Sequence, residues 1–177
     1  ALCPGTKVPV NDRVHMTSDS YMLQLTLNDM RDTEALARAL AGELRRGDFI
    51  ALAGALGAGK TTLARCLVQT LVPGEEVPSP TFTLVQSYDA PSFRIAHADL
   101  YRIKAQREIA ELGFDEALDA GALLVEWPDR MGTQMPADRL DIILEVDDGA
   151  EDRRTKLIGR GHWAERIRNL KRRGAIR

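Results

Sequence analysis

The chain has 177 residues, 44% hydrophobic and 28% charged, with a formal net charge of −2 at pH 7. That size and balance suit a globular domain with a sizeable core, and exclude fibrous, low-complexity or strongly polyionic proteins. The longest weakly polar run, Phe49 to Gly59, is too short for a membrane span, and the only cysteines, Cys3 and Cys66, lack metal-ligand spacing and point to a reducing, cytoplasmic setting.

Residues 1–20 carry Pro4, Gly5, Pro9, Asn11 and Asp12 with little periodicity and without the apolar core of a signal peptide; they read as a disordered leader. Residues 21–177 read as a single domain. Leu23, Leu25 and Leu27 alternate with polar residues, which predicts a half-buried strand over Tyr21–Leu27. Asn28 or Asp29 can cap a helix running to about Arg46, striped by Leu36, Leu40 and Leu44 and stopped by Gly47. A strand at Phe49–Ala53 follows, then a glycine-rich loop and a helix to about Leu71. Ser79-Pro80-Thr81 is read as opening a strand that continues to Tyr88, with Asp89–Ser92 as turn and Phe93–Leu100 as its partner. Short helices are expected at Ala105–Leu112 and Phe114–Ala120. Ala122–Glu126 is apolar without alternation, the pattern of a strand buried on both faces. Leu140–Val146 and Thr155–Ile158 predict a hairpin across Asp147-Asp148-Gly149, and a helix from about Trp163 to Arg173 closes the chain. The sum is an α/β fold: a three-layer P-loop NTPase-like sandwich with a mixed, mostly parallel central sheet.

The loop Gly54-Ala55-Leu56-Gly57-Ala58-Gly59-Lys60-Thr61 fits G-x-x-x-x-G-K-[ST], followed by Thr62. Its strand–loop–helix setting is the one in which backbone N–H groups and a helix N-terminus wrap nucleotide phosphates. Lys60 would reach the β- and γ-phosphates, and the Thr61 hydroxyl would ligate Mg2+. ATP or ADP with Mg2+ is therefore the expected ligand pair.

Phosphoryl transfer also needs a carboxylate at the metal and a group that orients the attacking atom. Asp99 and Glu126 each end an apolar strand, where open α/β sheets place such groups. Glu126 can serve as a metal or water ligand, or simply cap a helix. Asp99 can join it, or simply form a turn. Ser79 and Thr81 read equally as a γ-phosphate switch or a plain strand entry. His97 reads first as a packed, hydrogen-bonded strand histidine rather than a proton shuttle. Trp127 can be core, or an anchor for a base or partner.

Residues 151–177 hold ten Lys and Arg against three acids, a net +7, which leaves −9 across residues 1–150. That basic end can meet RNA or an acidic protein, or be a solvated terminal helix whose cations face its own dipole.

Four motifs taken together resemble the bacterial TsaE (YjeE) family over roughly residues 22–160. They are Gly-Ala-Leu-Gly-Ala-Gly-Lys-Thr-Thr (54–62), Ser-Pro-Thr-Phe-Thr-Leu-Val (79–85), His-Ala-Asp-Leu-Tyr-Arg (97–102) and Leu-Val-Glu-Trp-Pro (124–128). The resemblance implies a small Mg2+-dependent ATPase required for threonylcarbamoyladenosine modification of tRNA. It would hydrolyse ATP in complex with TsaB and TsaD, with TsaD transferring the threonylcarbamoyl group. By position, the resemblance has Lys60 holding phosphates, Thr61 and Glu126 holding Mg2+, and Asp99 near the metal or its waters. Trp127 would support the site or a partner contact, Arg153 would reach the nucleotide, and Met30 would lie beside the adenine. tRNA would be met indirectly or through the basic C-terminal end, and no membrane is implied. The family usually carries aspartate where this chain has Ala55; backbone phosphate binding does not need it, but hydrolysis can. No arginine finger is evident, with Arg102 and Arg130 as candidates and a partner as the other source. Two other readings remain: a nucleotide-gated binding module with little hydrolysis, and a small-molecule kinase, for which an arginine-rich lid is missing.

Overall fold

A computed structural model describes residues 19–146 and 152–176. The alternating leucines form strand β1 (Ser20–Leu27). Helix α1 (Met30–Ala41) starts where Asp29 accepts the Asp32 N–H at 3.0 Å, an N-cap that satisfies one of the helix's open donors. It ends at Ala41, not near Arg46. The cause is tertiary: Asp48 accepts the Arg45 N–H at 2.6 Å and Gly47 donates to the Gly121 carbonyl at 2.7 Å, so the chain turns early.

Strand β2 (Phe49–Gly54) leads through the glycine-rich loop to α2 (Lys60–Leu71). Residues 79–83 are not strand. Pro80 cannot donate to a ladder, its carbonyl accepts the Leu84 N–H at 2.7 Å, and Leu84 takes a left-handed φ of 63°. Pairing begins only at β3 (Val85–Asp89), antiparallel to β4 (Arg94–Asp99). The expected helix at 105–112 divides into α3 (Gln106–Ile109) and a 3-10 turn over Ala110–Leu112; Gly113, at φ 68°, then turns the chain into α4 (Phe114–Ala120). Strand β5 (Gly121–Glu126) is buried throughout, and a 3-10 segment, Pro128–Gln134, follows Trp127, which the sequence reading did not foresee. Strands β6 (Arg139–Val146) and β7 (Arg153–Arg160) pair antiparallel, and their turn lies outside the described residues. Helix α5 (His162–Arg172) closes the fold. Of the leader, only Asp19 and Ser20 are described, and Ser20 already belongs to β1.

The sheet runs β1-β7-β6-β2-β5-β4-β3. Its four inner strands, β6, β2, β5 and β4, are mutually parallel, and the flanking strands are antiparallel. Two cores lie on opposite faces. Leu36, Leu40, Leu63, Leu67, Trp163 and Ile167 from α1, α2 and α5 cover one face. Ile109, Phe114 and Met131 cover Phe49, Leu123 and Val125 on the other. This gives the three expected layers, held by apolar burial.

The arginines of α5 and of its C-cap have partners within the chain. Arg166 pairs with Asp48 at 2.6 Å, Arg173 with Glu43 at 2.5 Å and Arg168 with Glu165 at 2.5 Å; Arg172 reaches Asn169. Among the described residues, no helix is long and apolar enough to cross a membrane.

Candidate functional site

The parallel register explains why distant acids converge. Asp99 lies beside Glu126 in the β4–β5 ladder, and Glu126 lies beside Leu52 in β5–β2, two residues before the loop begins. Three neighbouring strands therefore end at the glycine-rich loop. There they border a cleft of about 310 Å3, lined by Leu56, Gly57, Gly59, Lys60, Thr61 and Thr62 from the loop and α2, and by Ser79, Thr81, Asp99, Tyr101, Glu126 and Trp127.

The loop conformation depends on its glycines. Gly54 has φ 143°, and a Cβ there would meet the Leu144 carbonyl at 2.5 Å. Gly59, at φ 100°, begins α2 without a side-chain cap, which leaves first-turn N–H groups open toward the cleft. Lys60 is only 4% exposed; its Nζ donates to the Gly54 and Ala55 carbonyls at 2.8 and 2.7 Å and sits 4.0 Å from the Trp127 ring centre. Burial pushes its pKa down, against the upward pull of Glu126, Asp99 and Asp129. Trp127 is held by its N–H to the Leu52 carbonyl at 3.2 Å and by Tyr101, whose ring centre is 5.0 Å away.

Two hydrogen-bonded groups flank the lysine. Thr61 Oγ1 donates to Glu126 Oε2 at 3.0 Å, and His97 Nε2 lies 2.8 Å from Glu126 Oε1. Thr81 Oγ1 donates to Asp99 Oδ2 at 2.9 Å, and Ser79 Oγ lies 2.8 Å from Thr81. The Tyr101 N–H satisfies Asp99 Oδ1 at 2.9 Å. The segment misread as strand is thus drawn over the cleft by a threonine–aspartate bond.

Not every expected residue lines that cleft. Gly54, Ala55 and Ala58 belong to the loop but do not line the cleft. Arg153 packs against Gly59 beside Thr33 and Thr62, and its buried Nε has no partner. Met30 is 46% exposed at the start of α1. Arg102 stacks 4.3 Å from the exposed Phe82 ring and Arg130 lies 4.0 Å from Asp129; neither lines the cleft. Tyr101 and the His97–Glu126 contact were missed from sequence. The two-residue alternation 97, 99 along β4 was the available signal for one shared face.

The donor set fits Mg2+ in the manner of phosphate sites. Thr61 and the two carboxylates supply hard oxygens at one end of the cleft. Among the described residues no cluster of three metal-ligating acids, histidines or cysteines forms a cage of its own, and Mg2+ commonly takes one or two carboxylates and completes its shell with phosphates and water.

A parallel-cored sandwich whose glycine–lysine–threonine loop joins β2 to α2 is a P-loop NTPase-like protein by fold. Residues 27–155 match the family model described as threonylcarbamoyl adenosine biosynthesis protein TsaE. Proteins named tRNA threonylcarbamoyladenosine biosynthesis protein TsaE are similar: that of Rickettsia conorii is 42% identical over 70% of this chain and 71% of its own length. The Aquifex aeolicus protein is 36% identical over 77% of this chain and 96% of its own. The crystal structure of Bacillus subtilis YdiB superposes with a TM-score of 0.75 at 28% identity, covering 90% of this chain and 99% of that one. The chain belongs to the TsaE family, whose role lies in biosynthesis of threonylcarbamoyladenosine in tRNA.

Proposed function

We propose that this protein is the Mg2+-dependent ATPase subunit of the tRNA threonylcarbamoyladenosine machinery, hydrolysing ATP in complex with TsaB and TsaD. The observation that carries the reading is the convergence of Lys60, the Thr61–Glu126 pair and the Thr81–Asp99 pair on one cleft. Loop N–H groups and Lys60 would bind the β- and γ-phosphates, and the lysine would exchange its two carbonyl partners for phosphate oxygens. Thr61 and Glu126 would hold Mg2+, with Asp99 beside its waters. Bound Mg2+ would neutralise charge developing on the phosphate oxygens. Asp99 would orient the attacking water. Thr81 would leave Asp99 when the γ-phosphate arrives and so report its presence. Arg153, with its orphaned Nε, would meet the nucleotide from the far side of Gly59. Among the described residues no arginine lines the cleft, which supports slow hydrolysis by the isolated chain and stimulation within the complex. The intramolecular pairing of α5 favours contact with tRNA through the partners rather than through this helix, and the site of action is the cytoplasm.

The test is phosphate release with and without TsaB and TsaD. Stimulation by the pair, reduced about 100-fold by Glu126→Gln, is the expected result, as for loss of one group that stabilises the transition state. Tight ATP binding without stimulated hydrolysis would leave a nucleotide-gated module, with Ala55 in place of the family's usual aspartate as the cause.

A further inference from the structure

Residues 97 and 99 point to the same side of β4, and residue 126 occupies the neighbouring position to Asp99 on β5. His97 is therefore the diagonal neighbour of Glu126, a separation that long side chains can bridge. They do so: His97 Nε2 lies 2.8 Å from Glu126 Oε1, with the histidine fully buried and Glu126 2% exposed. Each carboxylate oxygen of Glu126 thus has one protein donor, His97 on Oε1 and Thr61 on Oε2. The other ring nitrogen of His97, Nδ1, is buried without a partner. A histidine placed only to satisfy itself would use that nitrogen as well. Among the described residues this one has a single side-chain polar contact, and it is Glu126.

We infer that His97 is a positioning residue: by donating from Nε2 to Oε1 it fixes the rotation of the Glu126 carboxylate, so that Oε2 faces Thr61 and the metal position. The inference rests on the metal-site reading above and extends it. With Glu126 serving as the metal-binding carboxylate, the proton of this bond belongs to the ring nitrogen, because two lone pairs at 2.8 Å would repel. Without that donor, Oε1 would be a buried, unsatisfied anion oxygen. Glu126 would then rotate toward another donor, and the Thr61–Glu126 pair would no longer be presented to a cation. Partners of this kind, one bond removed from a metal, typically govern its affinity.

The test measures Mn2+ affinity by electron paramagnetic resonance in the presence of ADP, with ADP affinity in EDTA as a control, for His97→Leu, His97→Asn and His97→Gln. The glutamine amide nitrogen reaches the place of Nε2, whereas the asparagine nitrogen reaches only that of Nδ1. We expect Leu and Asn to weaken Mn2+ binding about 10- to 100-fold with ADP binding in EDTA unchanged, and Gln to restore most of the loss. If His97→Leu does not fold, the Asn–Gln contrast carries the test alone. Wild-type Mn2+ affinity in the Leu or Asn variant, alongside loss in Glu126→Gln, would overturn the positioning role and leave His97 as packing. Equal weakening in Asn and Gln would overturn it too. Unchanged Mn2+ affinity in Glu126→Gln, or no ADP binding by the wild type, would remove the metal-site reading and this inference with it.

Discussion

Lys60 shows how one side chain carries a state of the site. Its ammonium is out of solvent, resting on two loop carbonyls and against an indole face, contacts that hold a cation where phosphate oxygens are expected. Because burial lowers its pKa, the free protein loses this charge at a lower pH than an ordinary lysine, whose reference value is 10.5. The sign is therefore set: as pH rises, ATP affinity has already halved below 10.5, the pH at which an ordinary lysine is half discharged. Calorimetric titrations across that limb, at constant ionic strength, check it. Affinity that held constant through 10.5 would show that Lys60 stays charged in the free site. Thr61, Asp99 and Glu126 were legible as candidates because each sits beside a glycine-rich loop or ends an apolar run. His97 was legible as a packed, hydrogen-bonded strand histidine but not as the partner of Glu126, and Tyr101 was not singled out, because those roles come from one diagonal contact and one ring contact between separate strands and turns.

At the scale of elements, boundaries were decided by neighbours rather than by local propensity. The alternation in β1 and the unbroken apolar run of β5 read correctly because period and burial are local signals. The end of α1 did not, since Asp48 and Gly121 capture the chain from outside the helix. Two glycines test this difference. Gly42 has ordinary helical angles, and an added Cβ would meet only Ala39 O at 3.6 Å and Arg38 O at 3.7 Å. Gly42→Ala should stabilise by about 0.5 kcal/mol, mainly by restricting the unfolded chain. At Gly121, the first residue of β5, a Cβ would fall 1.6 Å from the Arg94 carbonyl of β4. Gly121→Ala should cost about 3 kcal/mol, because strand backbones must separate. Denaturant melts of both variants, compared with wild type, decide the matter; a neutral Gly121→Ala would mean that the β4–β5 junction yields freely.

For the whole molecule, the cleft lies where three neighbouring parallel strands, β2, β5 and β4, end, so a ligand there binds the folded state alone. At a nucleotide concentration 100 times its Kd, Mg2+–ATP should stabilise the protein by about 2.7 kcal/mol. For a domain of this size that is a rise in Tm of roughly 5–10 °C, lost in Lys60→Ala. A calorimetric scan showing no rise at that saturation would contradict binding in the cleft.

The linear sequence by itself determined the strand–loop–helix unit, the family motifs, the buried character of β5 and the charge asymmetry of the C-terminal end. Those depend on residue type and on periods of two to four residues, which need no knowledge of what packs where. Only the tertiary structure decided that Ser79 and Thr81 line the cleft instead of pairing in the sheet, that Arg166 and Arg173 reach Asp48 and Glu43, and that His97 bonds to Glu126. Each of these is a polar group finding the partner that burial leaves within reach, and sheet order and register decide which partner that is.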